Sequence, residues 1–131
     1  MVRGIGVDTA SISEIARLIS IEKSGKAFEQ RFFTENERES ASKRNDPAEY
    51  YATRFAAKEA VYKAIASLLV EKTFDLRLVE ALNDTNGAPF IHINERFRHI
   101  LQEACVNVLH ISITTEGDFA TAFVVACFEN K

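Results

Sequence analysis

The stretch from Arg54 to Val70, RFAAKEAVYKAIASLLV, is apolar around nearly its whole circumference, yet it carries Arg54, Lys58, Glu59 and Lys63. A helix that is apolar all round belongs inside a fold. Charges on such a helix need partners or ligands, because an unpaired buried charge is costly. Helical spacing sets Arg54 and Lys58 one turn apart on one strip, and Glu59 and Lys63 one turn apart on the neighbouring strip. As solvated surface these would be ordinary strips, the Glu59–Lys63 pair worth roughly a few tenths of a kcal/mol. Three cations against one anion, on a helix with little polar surface, point instead to an anionic ligand.

Local signals place that helix among other elements. Asp46-Pro47-Ala48-Glu49 joins an N-cap acid to proline at the first helical position, and predicts a helix running to about Val70. Val2 to Val7 reads as a strand ending in Asp8, with two glycines that admit close backbone approach. Ser11-Ile12-Ser13-Glu14 and Thr34-Glu35-Asn36-Glu37 fit capping boxes. Ser24-Gly25 is expected to break the first helix, a short helical turn to carry Phe28, Phe32 and Phe33, and the polar second helix to fade near Asn45. Leu76 to Leu82 and Phe90 to Ile93 read as strands around a turn at 83–87. Asn94 caps a helix with Phe97, Ile100, Leu101, Ala104 and Cys105 on one face. Leu109 to Thr114 alternates, Glu116-Gly117-Asp118 turns the chain, and Phe119 to Phe128 reads as a strand buried on both faces. Helices mixed with hairpin-paired strands predict an α+β fold.

Composition narrows the class. The chain has 131 residues, 47% of them hydrophobic, which fits one domain over 1–131 and excludes a disordered tail or a repeat array. A net charge of −3 weighs against non-specific nucleic-acid binding. Cys105 and Cys127 are too few for a disulfide framework or a zinc site, and read as buried free thiols of a reducing compartment. Asp8 interrupts the apolar N-terminus before a signal-peptide core forms, and no run reaches the length of a membrane span. The expectation is a soluble, cytoplasmic protein.

Asp8 is the second chemical candidate. Alone, a carboxylate closing a strand is a turn or cap residue. With Glu59 it offers two hard oxygen ligands, and magnesium takes one or two protein carboxylates together with waters and substrate phosphates. Basic side chains beside such a pair suit a pyrophosphate, so the combination points to metal-assisted phosphoryl-type transfer. Spacing alone does not bring the two acids together.

The same residues carry a resemblance. Gly4-Ile5-Gly6-Val7-Asp8, Arg31-Phe32-Phe33-Thr34 with Glu37, Arg54-Phe55-Ala56-Ala57-Lys58-Glu59-Ala60 with Lys63, Asn86-Gly87-Ala88-Pro89, and Ser112 to Ala122 follow in order. Together they resemble the holo-[acyl-carrier-protein] synthase family, the small bacterial 4′-phosphopantetheinyl transferases. The resemblance implies an antiparallel sheet packed on a long central helix. It implies transfer of the phosphopantetheine arm of coenzyme A to a serine of apo-acyl carrier protein, as in fatty-acid biosynthesis, with release of adenosine 3′,5′-bisphosphate. Carried over by position, Asp8, Glu59 and Lys63 would be catalytic, Asp8 and Glu59 holding Mg²⁺ against the pyrophosphate that Lys63 contacts. Arg54 and Lys58 would bind phosphate or position the helix, and Gly87, Pro89 and Thr115 would complete the coenzyme site. A homotrimer with sites between subunits is also implied, burying surplus apolar surface of the long helix.

Three positions depart from the family. Thr115 stands where a histidine is usual, Glu14 where a basic residue is usual, and Thr53 where a glycine precedes Arg54. The alternative reading is therefore a binding module for coenzyme A or a carrier protein that transfers poorly. A purely structural oligomerisation domain is a third reading, which has no need of Asp8, Glu59 and Lys63 together.

Overall fold

Two glycines determine how the molecule is assembled. In the computed structural model, which describes residues 1–130, strand β1 (Val2–Ser11) lies directly on the long helix α4 (Pro47–Ile65). A Cβ at Gly4 would stand 1.9 Å from the carbonyl oxygen of Ala64, and one at Gly6 would stand 1.9 Å from that of Ala60. The helix answers with small residues, since Ala56, Ala57, Ala60 and Ala64 are all buried. Strand β5 (Phe119–Cys127) pairs antiparallel with β1 on one side and with β4 (Val108–Glu116) on the other, giving a three-stranded sheet in the order β1-β5-β4. Its inner face, with Ala120, Ala122, Val124 and Ala126 fully buried, packs on α4. This is the expected α+β fold with its sheet on a central helix.

The remaining elements surround that core. Helices α1 (Ile12–Ser20), α2 (Glu22–Phe32) and α3 (Glu35–Ser42) precede α4. After it come two 3₁₀ turns (Ala66–Leu68 and Leu76–Leu78), then a two-stranded hairpin of β2 (Glu80–Asn83) and β3 (Pro89–His92), and helix α5 (Glu95–Glu103). No helix among the described residues is long and apolar enough to cross a membrane. Lys131, the last residue of the expected domain, lies outside the described residues.

Several expectations are corrected. β1 does not end at Asp8, because β5 continues to pair with it from Asp8↔Ala122 through Ser11↔Phe119. The chain breaks after α1 at Ile21 (φ −98°, ψ 117°), and Ser24-Gly25 lies inside α2. α3 stops at Ser42, and α4 gives way at Ala66 to a tighter turn. Residues 76–78 form a 3₁₀ turn rather than a strand, since Asp75 Oδ1 accepts the amide of Arg77 at 2.9 Å. β5 is buried on one face only, leaving Phe119 54% and Phe123 44% exposed beside Ile5 (63%) and Val7 (53%) on β1. Cys127 is buried as expected, but Cys105 is exposed, at the left-handed position (φ 55°) that follows α5.

The start of α1 is also built differently from its expected box. Ser11 Oγ accepts the amide of Glu14 at 3.2 Å, and Asp118 from the β4–β5 turn supplies the rest. One oxygen of Asp118 accepts the Ser13 amide at 2.8 Å, and the other takes the hydroxyls of Ser11 at 2.7 Å and Ser13 at 2.8 Å. These bonds hold the Asp118 carboxyl below its ordinary value of 3.8, the Ser11 bond first. A carboxylate depressed in the folded state stabilises above its unfolded pKa, and that contribution disappears as pH falls through the folded value. Asp118→Ala is therefore expected to lower the thermal midpoint at neutral pH, with the difference from wild type closing as pH falls below the ordinary aspartate range. Thermal melts across pH measure it; a pH-independent difference would mean that the ionised carboxylate is not what holds the turn.

Candidate active site

Alternate residues of a strand share a face. On the inward face of β1, Gly4 and Gly6 lie beneath α4, so Asp8 is the first acidic side chain that this face presents to the helix flank. It meets Lys63, whose ammonium donates to Asp8 Oδ1 at 2.9 Å and to the carbonyl of Val7 at 3.2 Å. Lys63 remains half exposed. The Asp8 bond raises its pKa. Glu59 lies one turn before Lys63 on α4. Its pKa is raised, first by burial and then by the negative charge of Asp8, with Lys63 pulling the other way. A carboxylate whose ionisation a neighbouring acid disfavours is short of positive charge, which a cation between the two relieves. Among the described residues no group of three or more His, Cys, Asp and Glu forms a metal cage. Two carboxylates with room for waters and phosphate oxygens is nonetheless a donor set that magnesium takes.

Glu59 also lines a cleft of about 640 Å³. Arg31 and Phe32 of α2 form one wall, Tyr62 of α4 another, and Phe74 to Arg77 the third. The Arg77 guanidinium is already paired with Asp75 at 2.6 Å.

Arg54 belongs to a different place. It lies five residues before Glu59, which is about 140° around a helix of 3.6 residues per turn. Its guanidinium is buried, donates to Asn83 Oδ1 at 2.7 Å and stacks 4.6 Å from the Tyr50 ring centre. Its Nε has no partner, so this buried cation has unspent donor capacity. Thr53, the departure from the family glycine, donates to the Tyr50 carbonyl at 2.7 Å and accepts from Arg54 at 3.2 Å, so its hydroxyl helps to orient the guanidinium. Arg54 lines a second cleft of about 370 Å³ with Arg44, Tyr50, Gly87 and Pro89. Gly87 takes φ 84° in the turn where Asp84 Oδ1 accepts the amides of Asn86 and Ala88 at 2.8 and 2.9 Å. Arg44 escaped the sequence reading. The available signal was its place just before the Asp46 cap, where the start of α4 carries it beside Tyr50 (4.9 Å to the ring centre).

Two candidates stand apart from both clefts. Lys58 is fully buried and paired with Glu37 at 2.8 Å, and it donates to the carbonyls of Leu76 at 3.1 Å and Val79 at 2.5 Å. An ammonium has three protons, and all are engaged. Lys58 therefore has no proton left for the phosphate contact that the resemblance implied, which corrects that role. Thr115 is exposed on β4 opposite Ala120 and lines neither cleft.

Residues 4–124 match the model of the 4′-phosphopantetheinyl transferase superfamily. A holo-[acyl-carrier-protein] synthase of Wolbachia sp. subsp. Drosophila simulans (strain wRi) is 36% identical over 130 residues, covering 97% of this chain and 99% of the relative. The crystal structure of holo-[acyl-carrier-protein] synthase from Neisseria meningitidis aligns with a TM-score of 0.83 and 32% identity, over 96% of this chain and 98% of that one. An ACPS–CoA complex from Chronobacterium ammoniagenes aligns with a TM-score of 0.78 and 29% identity, over 97% and 98%. The chain belongs to the holo-[acyl-carrier-protein] synthase family of that superfamily.

Proposed function

We propose that this protein, as one domain, transfers the 4′-phosphopantetheine group of coenzyme A to a serine of an apo-acyl carrier protein, with Mg²⁺ as cofactor. The observation that carries the reading is the convergence of Asp8, Glu59 and Lys63 beside a cleft large enough for an extended arm. Asp8 and Glu59 would hold Mg²⁺, which supplies Lewis-acid polarisation of the pyrophosphate. The Lys63 ammonium, half exposed and bonded only to Asp8 and the Val7 carbonyl, can turn to a phosphate oxygen and stabilise charge that develops there. The serine oxygen bonds to the phosphorus that bears pantetheine. The bond from that phosphorus to the oxygen of adenosine 3′,5′-bisphosphate breaks, and the serine proton passes to water or a carboxylate. Arg54, with its unspent Nε donor, and Arg44 suit the phosphates of the nucleotide end, beside Gly87 and Pro89.

The two clefts share no lining residue and lie on different faces of α4. A second copy that sets its Arg54 cleft against the Glu59 of the first would join them. The exposed apolar stripe of Ile5, Val7, Phe119 and Phe123 supplies a surface for such contact. Both features support the homotrimer, and the family membership supports a cytoplasmic setting in lipid synthesis. Mass spectrometry of apo-carrier protein incubated with this protein, coenzyme A and Mg²⁺ tests the function. One added phosphopantetheine is expected, and none in the presence of a chelator.

The second reading, a module that binds but transfers poorly, draws on Thr115. A threonine hydroxyl can donate to a phosphate oxygen as a histidine would, but it does not titrate near neutral pH. Thr115→His is expected to lower the KM for coenzyme A more than it raises kcat. Steady-state kinetics on the two proteins decide. A wild type inert toward several carriers and rescued only by the histidine would favour the module.

A further inference from the structure

The fully buried Lys58–Glu37 pair ties α4 and the chain at 76–81, both of which contribute to the walls of the Glu59 cleft, to the start of α3. Glu37 Oε1 takes the Lys58 ammonium at 2.8 Å and the Thr34 amide at 2.9 Å, and its Oε2 takes the amide of Ala81 at 2.9 Å. Lys58 donates its other two protons to the Leu76 and Val79 carbonyls. The pair thus joins the start of α3, just past Phe32, to α4 at the residue beside Glu59, and both to the chain at 76–81. The other ties of the wall formed by Phe74 to Arg77 are made by the Phe74 ring, which packs 5.6 Å from the Tyr62 ring centre and 6.3 Å from that of Phe97. The wall's 3₁₀ turn is short and closed by bonds to Asp75 and Leu76 within the segment itself, and such turns have poor hydrogen-bond geometry.

Packing alone does not call for this ion pair, because apolar residues of similar volume often replace a buried pair without loss of stability. What they cannot replace are the bonds to main-chain carbonyls. Lys58 and Glu59 are consecutive, so a wall fixed relative to Lys58 is fixed relative to Glu59.

Resting on the reading of coenzyme A as donor, we propose that Lys58 is a positioning residue of the transfer. Through the Leu76 and Val79 carbonyls it holds the far wall of the Glu59 cleft at a set distance from α4. In this way it governs the grip on the pantetheine arm, while touching no substrate atom. A displacement of about 1 Å at a remote support can cost ~10²-fold in rate, so a loosened wall is felt at the site.

The test is the double variant Glu37→Leu/Lys58→Met, which removes both charges together and leaves neither unpaired. Amides of residues 76–81, and that of Thr34, which loses its Glu37 acceptor, are expected to exchange faster than in wild type, with the rest of the molecule unchanged. By calorimetry with Mg²⁺ present, affinity for coenzyme A is expected to fall about tenfold or more. Affinity for adenosine 3′,5′-bisphosphate, which lacks the arm, is expected to hold. The KM for coenzyme A in the transfer assay should rise in step, with kcat less affected. Equal loss for both ligands, or no loss, or unchanged exchange at 76–81 overturns the proposal. If the double variant does not fold, Lys58→Arg carries the test. Its guanidinium keeps the charge against Glu37, but a planar fork cannot reproduce one ammonium's three directions, so the same split is expected at smaller size and its absence overturns the proposal. A wild type that binds neither ligand overturns the donor reading and the proposal with it. A wild type that binds both, with an unsplit variant, overturns the proposal alone.

Discussion

Glu59→Gln is expected to slow transfer by roughly 10²–10³-fold, the scale on which losing one preorganised electrostatic stabiliser slows a reaction. The fold should not suffer. Burial and the neighbouring Asp8 already disfavour the Glu59 carboxylate, so a neutral amide of the same shape removes a repulsion rather than a contact. The variant should melt at or slightly above the wild-type temperature while its magnesium response disappears. A structural glutamate would behave in the opposite way, losing stability and keeping turnover. Initial rates of carrier modification against Mg²⁺ concentration, with a thermal melt on each protein, separate the two. Wild-type turnover in Glu59→Gln would reduce Glu59 to a partly buried helix residue.

The site was legible in the sequence where local rules operate and obscure where distant segments meet. Spacing put Glu59 and Lys63 on one strip, and the structure adds Asp8 to them because β1 carries no side chain at positions 4 and 6 to hold α4 away. Spacing also put Lys58 with Arg54, which is right about the helix and silent about surroundings. Glu37, the partner that removes Lys58 from solvent, read as the last member of a capping box on a polar helix. It is one, since Thr34 and Glu37 cap reciprocally, but the capping oxygen also takes the Lys58 ammonium and the other oxygen takes the Ala81 amide, a second job that no local pattern announces. The strand over Phe119 to Phe128 read as buried on both faces because its outer residues are apolar too. Only the packing of one face on α4 shows which side is covered. Residues 76–78 misled for a related reason: their apolar pattern suits a strand, while the carbonyls of Leu76 and Val79 are taken by a lysine some twenty positions earlier.

Gly6→Ala is expected to cost more stability than any of the surface changes, because the added methyl meets main chain. Its Cβ would stand 1.9 Å from the oxygen of Ala60, 2.8 Å from the nitrogen of Ala64 and 2.9 Å from the carbonyl carbon of Ala60. No rotamer change relieves a clash between a strand and the backbone of a helix, so β1 and α4 must separate. Overpacking of a core by one methyl costs typically about 1–3 kcal/mol where side chains can shift. Here they cannot, so the loss should reach or pass the top of that range, a large share of the roughly 5–15 kcal/mol that holds a domain together. The site should fail with the fold. Asp8 is the next inward position after Gly6, and its 2.9 Å bond to Lys63 depends on how closely the strand approaches the helix. The comparison is Gly117→Ala, in the β4–β5 turn at φ 57° with nothing within 4 Å of the added carbon. That change meets only the backbone penalty of a left-handed residue, about 1–2 kcal/mol. Denaturant midpoints for the two variants should therefore differ widely in the order Gly117→Ala above Gly6→Ala. Equal midpoints would mean that β1 rests on α4 less tightly than its two glycines imply, and would loosen the geometric case for Asp8 and Lys63 as a pair.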